Sequence, residues 1–290
     1  MVGASLLFSL MGVCVKLAST QYGAGEMVMY RALVGLPLMA AMMRWRGVSW
    51  RTSRPRMHLS RSVSGSVALC LWFVAIGGLP LATAMTLNYM SAVWMAVFLM
   101  LGVLWSGRGG NEAAARLDVP LVAAIAIGFL GVALVLRPTL AQDQLGHGLL
   151  GLGSGMLAAV AYLQVSAMGR LGEPGERVVF YFSLSGVLAG ALLALLTGGF
   201  HAHDARGLAL LLAIGLLATG AQWMMTRAYA IGATLGIASL QYLGIVFSVL
   251  LGFLLFDDKV SAIAILGMVL IVAAGVWANF LRSRVATVQR

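Results

Sequence analysis

Charge is what this 290-residue chain lacks most: 10% of its residues are Asp, Glu, Lys or Arg, against about 25% in soluble domains. With 61% hydrophobic residues and a mean hydropathy of +0.97, too little charge remains to coat a soluble surface. That excludes most soluble classes and leaves a chain whose solvent is the hydrocarbon of a bilayer. Cysteine is scarce as well. Cys14 and Cys70 both fall in apolar stretches, so they read as small buried hydrophobes and not as a disulfide framework. Lysine occurs twice, neither time in a Gly-x-x-x-x-Gly-Lys phosphate loop, which argues against ATP-driven transport by this chain alone. His-Glu-x-x-His and Gly-x-Ser-x-Gly are missing too. No catalytic constellation therefore points to an enzyme, and no cofactor is implied. His201, His203 and Asp204 stand close together in a loop, but two imidazoles make a poor metal site, and the cluster reads as solvated.

What the chain has in abundance is long apolar runs. Ten stretches approach the ~20 residues a crossing needs: 2–19, 26–43, 62–79, 83–105, 119–136, 148–169, 177–197, 207–230, 234–256 and 261–281. Gly77-Gly78-Leu79-Pro80 divides the third from the fourth, and Ile231-Gly232-Ala233 the eighth from the ninth, because Gly and Pro end helices. No basic region precedes Val2, so the first run is expected to be a membrane helix and not a cleaved leader. A net charge of +10 would suggest nucleic acid in a soluble protein. Here the basic residues report topology instead. With the N-terminus in the cytoplasm, Arg44, Arg46, Arg51, Arg54, Arg56, Arg61, Arg108, Arg116, Arg170, Arg177, Arg227, Arg282, Arg284 and Arg290 fall on the inner side. Arg137, Arg206 and Lys259 fall outside. That asymmetry places both termini in the cytoplasm of a bacterial-type inner membrane, and the Arg run from 44 to 61 reads as a topology signal with no nucleic-acid partner.

The chain also repeats itself. Gly25-Glu26-Met27-Val28-Met29-Tyr30 precedes Gly175-Glu176-Arg177-Val178-Val179-Phe180, Leu87-Asn88-Tyr89 precedes Leu240-Gln241-Tyr242, and Gly131-Val132 precedes Gly275-Val276, each by about half the chain. Two units of five spans follow, 1–140 and 141–290. Five is odd, so the second unit enters the membrane from the opposite side. The expected fold is an all-α membrane protein of ten transmembrane helices in a 5+5 inverted repeat, an arrangement typical of secondary transporters with a site between the halves.

On these residues the chain resembles the drug/metabolite transporter superfamily in its ten-helix EamA-type branch. The resemblance is carried by Gly12 and Lys16 in the first span, Tyr30-Arg31 and Leu33 in the second, Trp72-Phe73-Val74-Ala75 in the third and Leu81-Ala82-Thr83-Ala84 opening the fourth. Gly128, Gly131-Val132 and Pro138 follow, then Gln222, Ala228-Tyr229-Ala230 and Ala238-Ser239-Leu240 in the second half. The chain departs from the family's Gly-Glu helix ends: Ser106-Gly107-Arg108 stands at the first and Asp257-Asp258 at the second. The resemblance implies helices of both halves around a central cavity, peripheral fifth and tenth helices that help form a homodimer, and transport of small metabolites.

Candidate binding residues are the polar and aromatic groups that hydrocarbon penalises. Lys16 and Arg31 lie within spans, where a charge costs roughly 2.5–3.5 kcal/mol. Either would attract an anionic substrate group, snorkel to the headgroups or, for Arg31, pair with Glu26. Asn88-Tyr89 and Gln241-Tyr242 are repeat-related amide–aromatic pairs, read as a pseudo-symmetric cavity lining or as interhelical hydrogen bonds. Trp72, Trp94, Tyr162, Gln164 and Gln222 complete the cavity candidates, with Trp223 and Arg227 near a membrane face. Gly186 and Gly190 read as a helix-packing pair. The function expected is a secondary transporter or exchanger of a small metabolite. The alternative is a lipid-handling or scaffold protein in the same bilayer.

Overall fold

The computed structural model describes residues 1–107, 119–141, 144–231, 237–238 and 240–288, and they hold helices with no strand among them. In chain order these are α1 (Val2–Ala18), α2 (Ala24–Trp45), α3 (Pro55–Gly78), α4 (Leu81–Tyr89), α5 (Ser91–Gly107), α6 (Val119–Ala141), α7 (Leu145–Arg170), α8 (Gly175–Leu196), α9 (Ala205–Ile231), α10 (Leu243–Phe256) and α11 (Ala262–Val288). Arg108, Arg116, Arg290 and the break expected at Gly232-Ala233 lie outside the described residues. Among those described, α2, α3, the α4–α5 pair, α7, α8 and α9 are long and apolar enough to cross a membrane. Shorter apolar helices include α1 and α10.

Burial runs the opposite way from a soluble protein. Leu188, Leu196 and Leu254 stand exposed at 68%, 74% and 70%, while Glu26, Arg31, Arg61, Asn88, Gln222 and Gln241 are buried. Polar groups turn inward because hydrocarbon offers them no partner. This is a multi-pass membrane protein.

Three element boundaries correct the sequence expectation, and they matter for the site. The third helix starts at Pro55 and not near residue 62. Proline lacks the N–H that a first turn leaves unbonded and has φ preset for it. Arg56, His58 and Arg61 therefore ride on a helix, and His58 and Arg61 are buried. The expected fourth span is broken at Met90, between α4 and α5, and the ninth at Gln241-Tyr242, before α10. A broken helix frees carbonyls that lipid cannot satisfy. At the second break, α1 supplies the donors: Ser5 Oγ bonds the Leu240 carbonyl at 3.4 Å and Ser9 Oγ the Gly244 carbonyl at 3.2 Å.

The main helix contacts pair α2 with α8, α6 with α11, α3 with α7 and α1 with α9. Glycine allows the first two to close. A Cβ added to Gly131 would lie 2.7 Å from the Gly267 carbonyl oxygen, and one added to Gly267 would lie 2.6 Å from that of Gly131. Gly25 and Gly190 stand in the same reciprocal relation, each hypothetical Cβ 2.8 Å from the other's carbonyl oxygen. Gly186 meets Ala32 beside them. Backbones this close pack through dispersion and weak C–H···O contacts, the main attractions available between helices in lipid. Each of Gly25→Ala, Gly190→Ala, Gly131→Ala and Gly267→Ala is expected to cost about 1–3 kcal/mol by overpacking. Gly146→Ala, where nothing lies within 4 Å, is expected to leave the Tm of the purified protein unchanged. Equal Tm values across all five variants would contradict the two glycine seams.

Candidate functional site

A cavity of about 40 Å³ opens where α3 faces α7 in the middle of the bundle, room for a few waters and no more. Its α3 wall is Arg61, Gly65, Ala68, Leu69 and Trp72, a helical stripe spaced by three or four residues. Ala158, Ala161 and Tyr162 of α7 form the facing wall by the same spacing. Arg31 enters from α2, Phe182 from α8, Gln222 from α9, and Asn88 and Tyr89 from the end of α4, just before its break; Phe8 of α1 closes the remainder.

The position of Arg61 is the least expected feature. It lies six residues, roughly 9 Å, from the start of α3, within easy reach of a membrane face by snorkelling. Its side chain instead folds the other way, one turn deeper, against Gly65. A Cβ on Gly65 would collide with an Arg61 guanidinium nitrogen, so the missing side chain makes the berth. The Arg61 Cζ stands 4.2 Å from the centroid of the Phe182 ring, and the Arg31 Cζ stands 5.4 Å from the same ring. Arg31 donates through Nη2 to Gln222 Oε1 at 3.4 Å. Neither guanidinium forms an ion pair among the described residues, where every ion pair lies elsewhere. Arg31 Nε, Arg61 Nε and Nη1, Trp72 Nε1 and Gln222 Nε2 are all buried without a hydrogen-bond partner. Such groups normally find one. On the opposite wall, Asn88 Nδ2 is engaged by Ser154 Oγ at 3.0 Å, and Ser154 in turn donates to the Gly151 carbonyl at 2.6 Å.

Of the expected cavity residues, Arg31, Trp72, Asn88, Tyr89, Tyr162 and Gln222 line this space. Five do not. Lys16 is drawn away by Asp258, 2.8 Å from its Nζ, and sits 4.6 Å from the Phe256 ring centroid. Trp94 packs against Phe98 and Phe129. Gln164 bonds Ser60 and Ser64 across the α3–α7 seam. The second amide–aromatic pair falls inside the helix break, which redirects both side chains. Gln241 donates to the Tyr229 hydroxyl behind the wall, where Tyr229 stacks on Tyr162, and Tyr242 packs against Gly275. The two repeat-related pairs are thus not equivalent. Arg61 and Phe182 were missed: Arg61 was read as part of a basic topology run, and Phe182 carries no polar group to single it out. Pro55 and Gly65 were the available signal, a helix start followed by a gap at the position facing Arg61.

Ion pairs tie both ends of the bundle. At the end carrying the α1–α2 turn, Asp258 takes Lys16 and the Leu81 N–H at 3.0 Å. Glu26 meets His201 at 2.9 Å and His203 at 3.5 Å, not Arg31, so those histidines touch a buried carboxylate while staying partly exposed, in keeping with a solvated loop. At the opposite end, Arg46 pairs with Glu176 at 2.8 Å, and Trp223 Nε1 donates to the same carboxylate at 3.2 Å. Arg227 lies over the Trp223 ring, 5.1 Å from its centroid. Glu173 accepts from Thr52 and Arg177, both at 2.8 Å. Burial pushes its carboxyl up, but those two hydrogen bonds and the Arg177 charge outweigh it and hold the carboxyl below the usual range.

No family model matches the chain. It is 32% identical over 274 residues to the pseudopaline exporter CntI of Pseudomonas aeruginosa (strain UCBPP-PA14), covering 93% of this chain and 91% of that protein. It is 28% identical over 229 residues to a riboflavin transporter of Rhizobium johnstonii, covering 78% of this chain and 71% of that one. One protein of known crystal structure matches its fold with a TM-score of 0.67 at 18% identity, over 98% of this chain and 97% of that one.

Lys16→Met leaves Asp258 half-satisfied, and Asp258→Asn strands the ammonium. Each is expected to cost about 2 kcal/mol, between the values for exposed and buried pairs. The double variant is expected to lose less than the sum of the two. Strict additivity in a thermal-stability cycle would show that the pair does not couple α1 to the turn after α10.

Proposed function

The chain belongs to the family of membrane transporters that includes the pseudopaline exporter CntI, and from that premise we propose that it moves a small metabolite across a bacterial inner membrane by alternating access. One observation carries the reading: a cavity lined by buried polar and aromatic side chains from α1, α2, α3 and α4 together with α7, α8 and α9, inside a bundle whose outer surface is leucine-rich. A scaffold has no use for such a space, and a lipid-handling cavity would be lined with aliphatic side chains.

In this reading the chain is an EamA-type transporter of ten spans, built as two inverted halves, 1–140 and 141–290. The α4–α5 pair supplies the fourth span, and the segment ending in α10 the ninth. The helix pairing supports it. Exchanging the halves maps α3–α7 onto α9–α1, and leaves α2–α8 and α6–α11 each paired with itself. The substrate site is the α3–α7 cavity, with Arg31, Arg61, Trp72, Asn88, Tyr89, Tyr162 and Gln222 in contact with substrate. The cavity has room for only a few waters and both ends of the bundle are tied by ion pairs, an arrangement that fits the occluded step of the cycle. Release of Lys16–Asp258 and Glu26–His201 opens one side, and release of Arg46–Glu176 and Thr52–Glu173 the other. Both termini are cytoplasmic.

Reporter fusions at the C-terminus and within 50–56 are expected to read cytoplasmic, and a fusion within 201–205 to read periplasmic. The opposite reading at any of the three contradicts the ten-span topology. A deletion strain compared with its parent is expected to differ in the partition of a small metabolite between cells and medium, and the wild-type gene to restore it. Identical partition for all metabolites detected contradicts transport.

A further inference from the structure

The cavity carries two guanidiniums and, among the described residues, no carboxylate. The described acids are engaged or exposed elsewhere. Glu26, Glu173, Glu176 and Asp258 sit in the ion pairs at the ends of the bundle. Asp204 accepts from the Gly207 N–H at 2.7 Å, and Asp257 is exposed. Arg31 and Arg61 are 6% and 2% exposed, and each keeps an unpartnered Nε. Desolvated charge without a counter-charge is the most expensive arrangement a protein interior holds. The sequence avoids it cheaply in other proteins, by a neutral residue or a nearby acid.

Two features show that the arrangement is built. Arg61 is held away from the membrane face by a berth that only glycine at 65 leaves open. The unpartnered groups around the pair can also all donate: Trp72 Nε1 and Gln222 Nε2 only donate, as the guanidiniums do, and the Tyr89 hydroxyl can donate as well as accept. The Gln222 oxygen, which would repel an anion, is turned to Arg31. An array of donors with a surplus of two positive charges fits a ligand rich in acceptors and negative charge. Each guanidinium fork matches one carboxylate bidentately, and the Phe182 ring that both share gives an apolar body something to lie on.

We propose that the cavity binds a small organic anion bearing two or more carboxylates, one taken by Arg31 and one by Arg61. This rests on the reading of the cavity as the substrate site of a transporter. In that role the uncompensated charge makes the empty site unfavourable to close, and the substrate supplies the missing counter-charge.

The test uses the full chain purified in lipid nanodiscs, with succinate, phthalate and citrate as probes. Succinamide and phthalamide serve as neutral counterparts, and chloride and inorganic phosphate as plain anions. Titration calorimetry is expected to detect at least one organic polyanion at millimolar concentration or below, and to detect the diamides roughly tenfold more weakly or not at all. Arg31→Gln and Arg61→Gln are each expected to weaken that binding by roughly tenfold or more. Arg→Lys at either position is expected to restore part of it, since the charge returns without the fork. Ligand-free Arg31→Gln and Arg61→Gln proteins are expected to melt at or above the wild-type Tm, because an unpaired buried charge is gone. A purely structural arginine would give the reverse.

Equal binding of succinamide and succinate, undiminished binding by both Gln variants, binding of chloride or phosphate alone, or no binding of any of the three polyanions overturns the proposal. So does a large loss of Tm in both ligand-free Gln variants. The transport reading fails separately. Polyanion binding with no metabolite difference in the deletion strain keeps the site and removes transport, while a metabolite difference with any overturning result above keeps transport and removes the anion.

Discussion

The structure depends on one constraint: hydrocarbon offers a polar group nothing to bond. A chain that is 61% hydrophobic and 10% charged can place its leucines outward at no cost, but every amide, hydroxyl and charge must be answered from within. Most are. Asn88 finds Ser154, Gln241 finds Tyr229, and Ser5 and Ser9 answer carbonyls around the second helix break. Lys16 finds Asp258 and Glu26 finds two histidines. Other buried groups stay unanswered here and there, Tyr22, His58 and Tyr242 among them, but the two buried guanidiniums without a counter-charge, Arg31 and Arg61, share one cavity with the unpartnered Trp72 Nε1 and Gln222 Nε2. If the cavity is the substrate site proposed above, stability and function are opposed there, as they commonly are at sites that must receive a ligand.

The remainder of the fold arranges for the helices to approach and yet to move. Glycine against carbonyl at Gly25–Gly190 and Gly131–Gly267 lets α2 meet α8 and α6 meet α11 at backbone distance. On the proposed inverted-repeat reading these are the two helix pairs that an exchange of halves leaves in place, and they suit fixed elements. The ties at the ends of the bundle are of another kind. They are single ion pairs between helices and turns, each strong enough to hold one state and weak enough to exchange for water at the membrane face. The proposed gating of the cavity at two ends needs that contrast between a close-packed axis and releasable ends.

Much of this was legible in the residues. The long apolar runs located the helices, because the length of a crossing is fixed by bilayer thickness and helix rise. Arg31, Asn88 and Gln222 were identified from a physical rule, that a polar residue in a span needs a reason. Arg61 was not, although it obeys the same rule. Its span was started seven residues late, and the basic residues before it are real signals of a membrane face, so the run absorbed it. Sequence counts charges but does not say which way a flexible side chain folds; Gly65 decides that through space one turn away. Lys16 lies off the cavity, since it is held by Asp258, 242 residues away, and no local pattern links them. The repeat-related pairs Asn88-Tyr89 and Gln241-Tyr242 looked equivalent. They part because one ends a helix and the other forms the turn, which rotates both side chains off the cavity.

The central claim is that the cavity between α3 and α7 is reached alternately from the two sides of the membrane. Ala158 lines it and is 5% exposed. With Cys14→Ala and Cys70→Ala as background, Ala158→Cys in sealed vesicles of either orientation reports on access through its reaction with a membrane-impermeant thiol reagent. The account predicts that the thiol reacts from both sides, slowly, since it is hidden in the occluded state. Reaction from one side alone, or from neither while detergent-solubilised protein reacts fully, would contradict it.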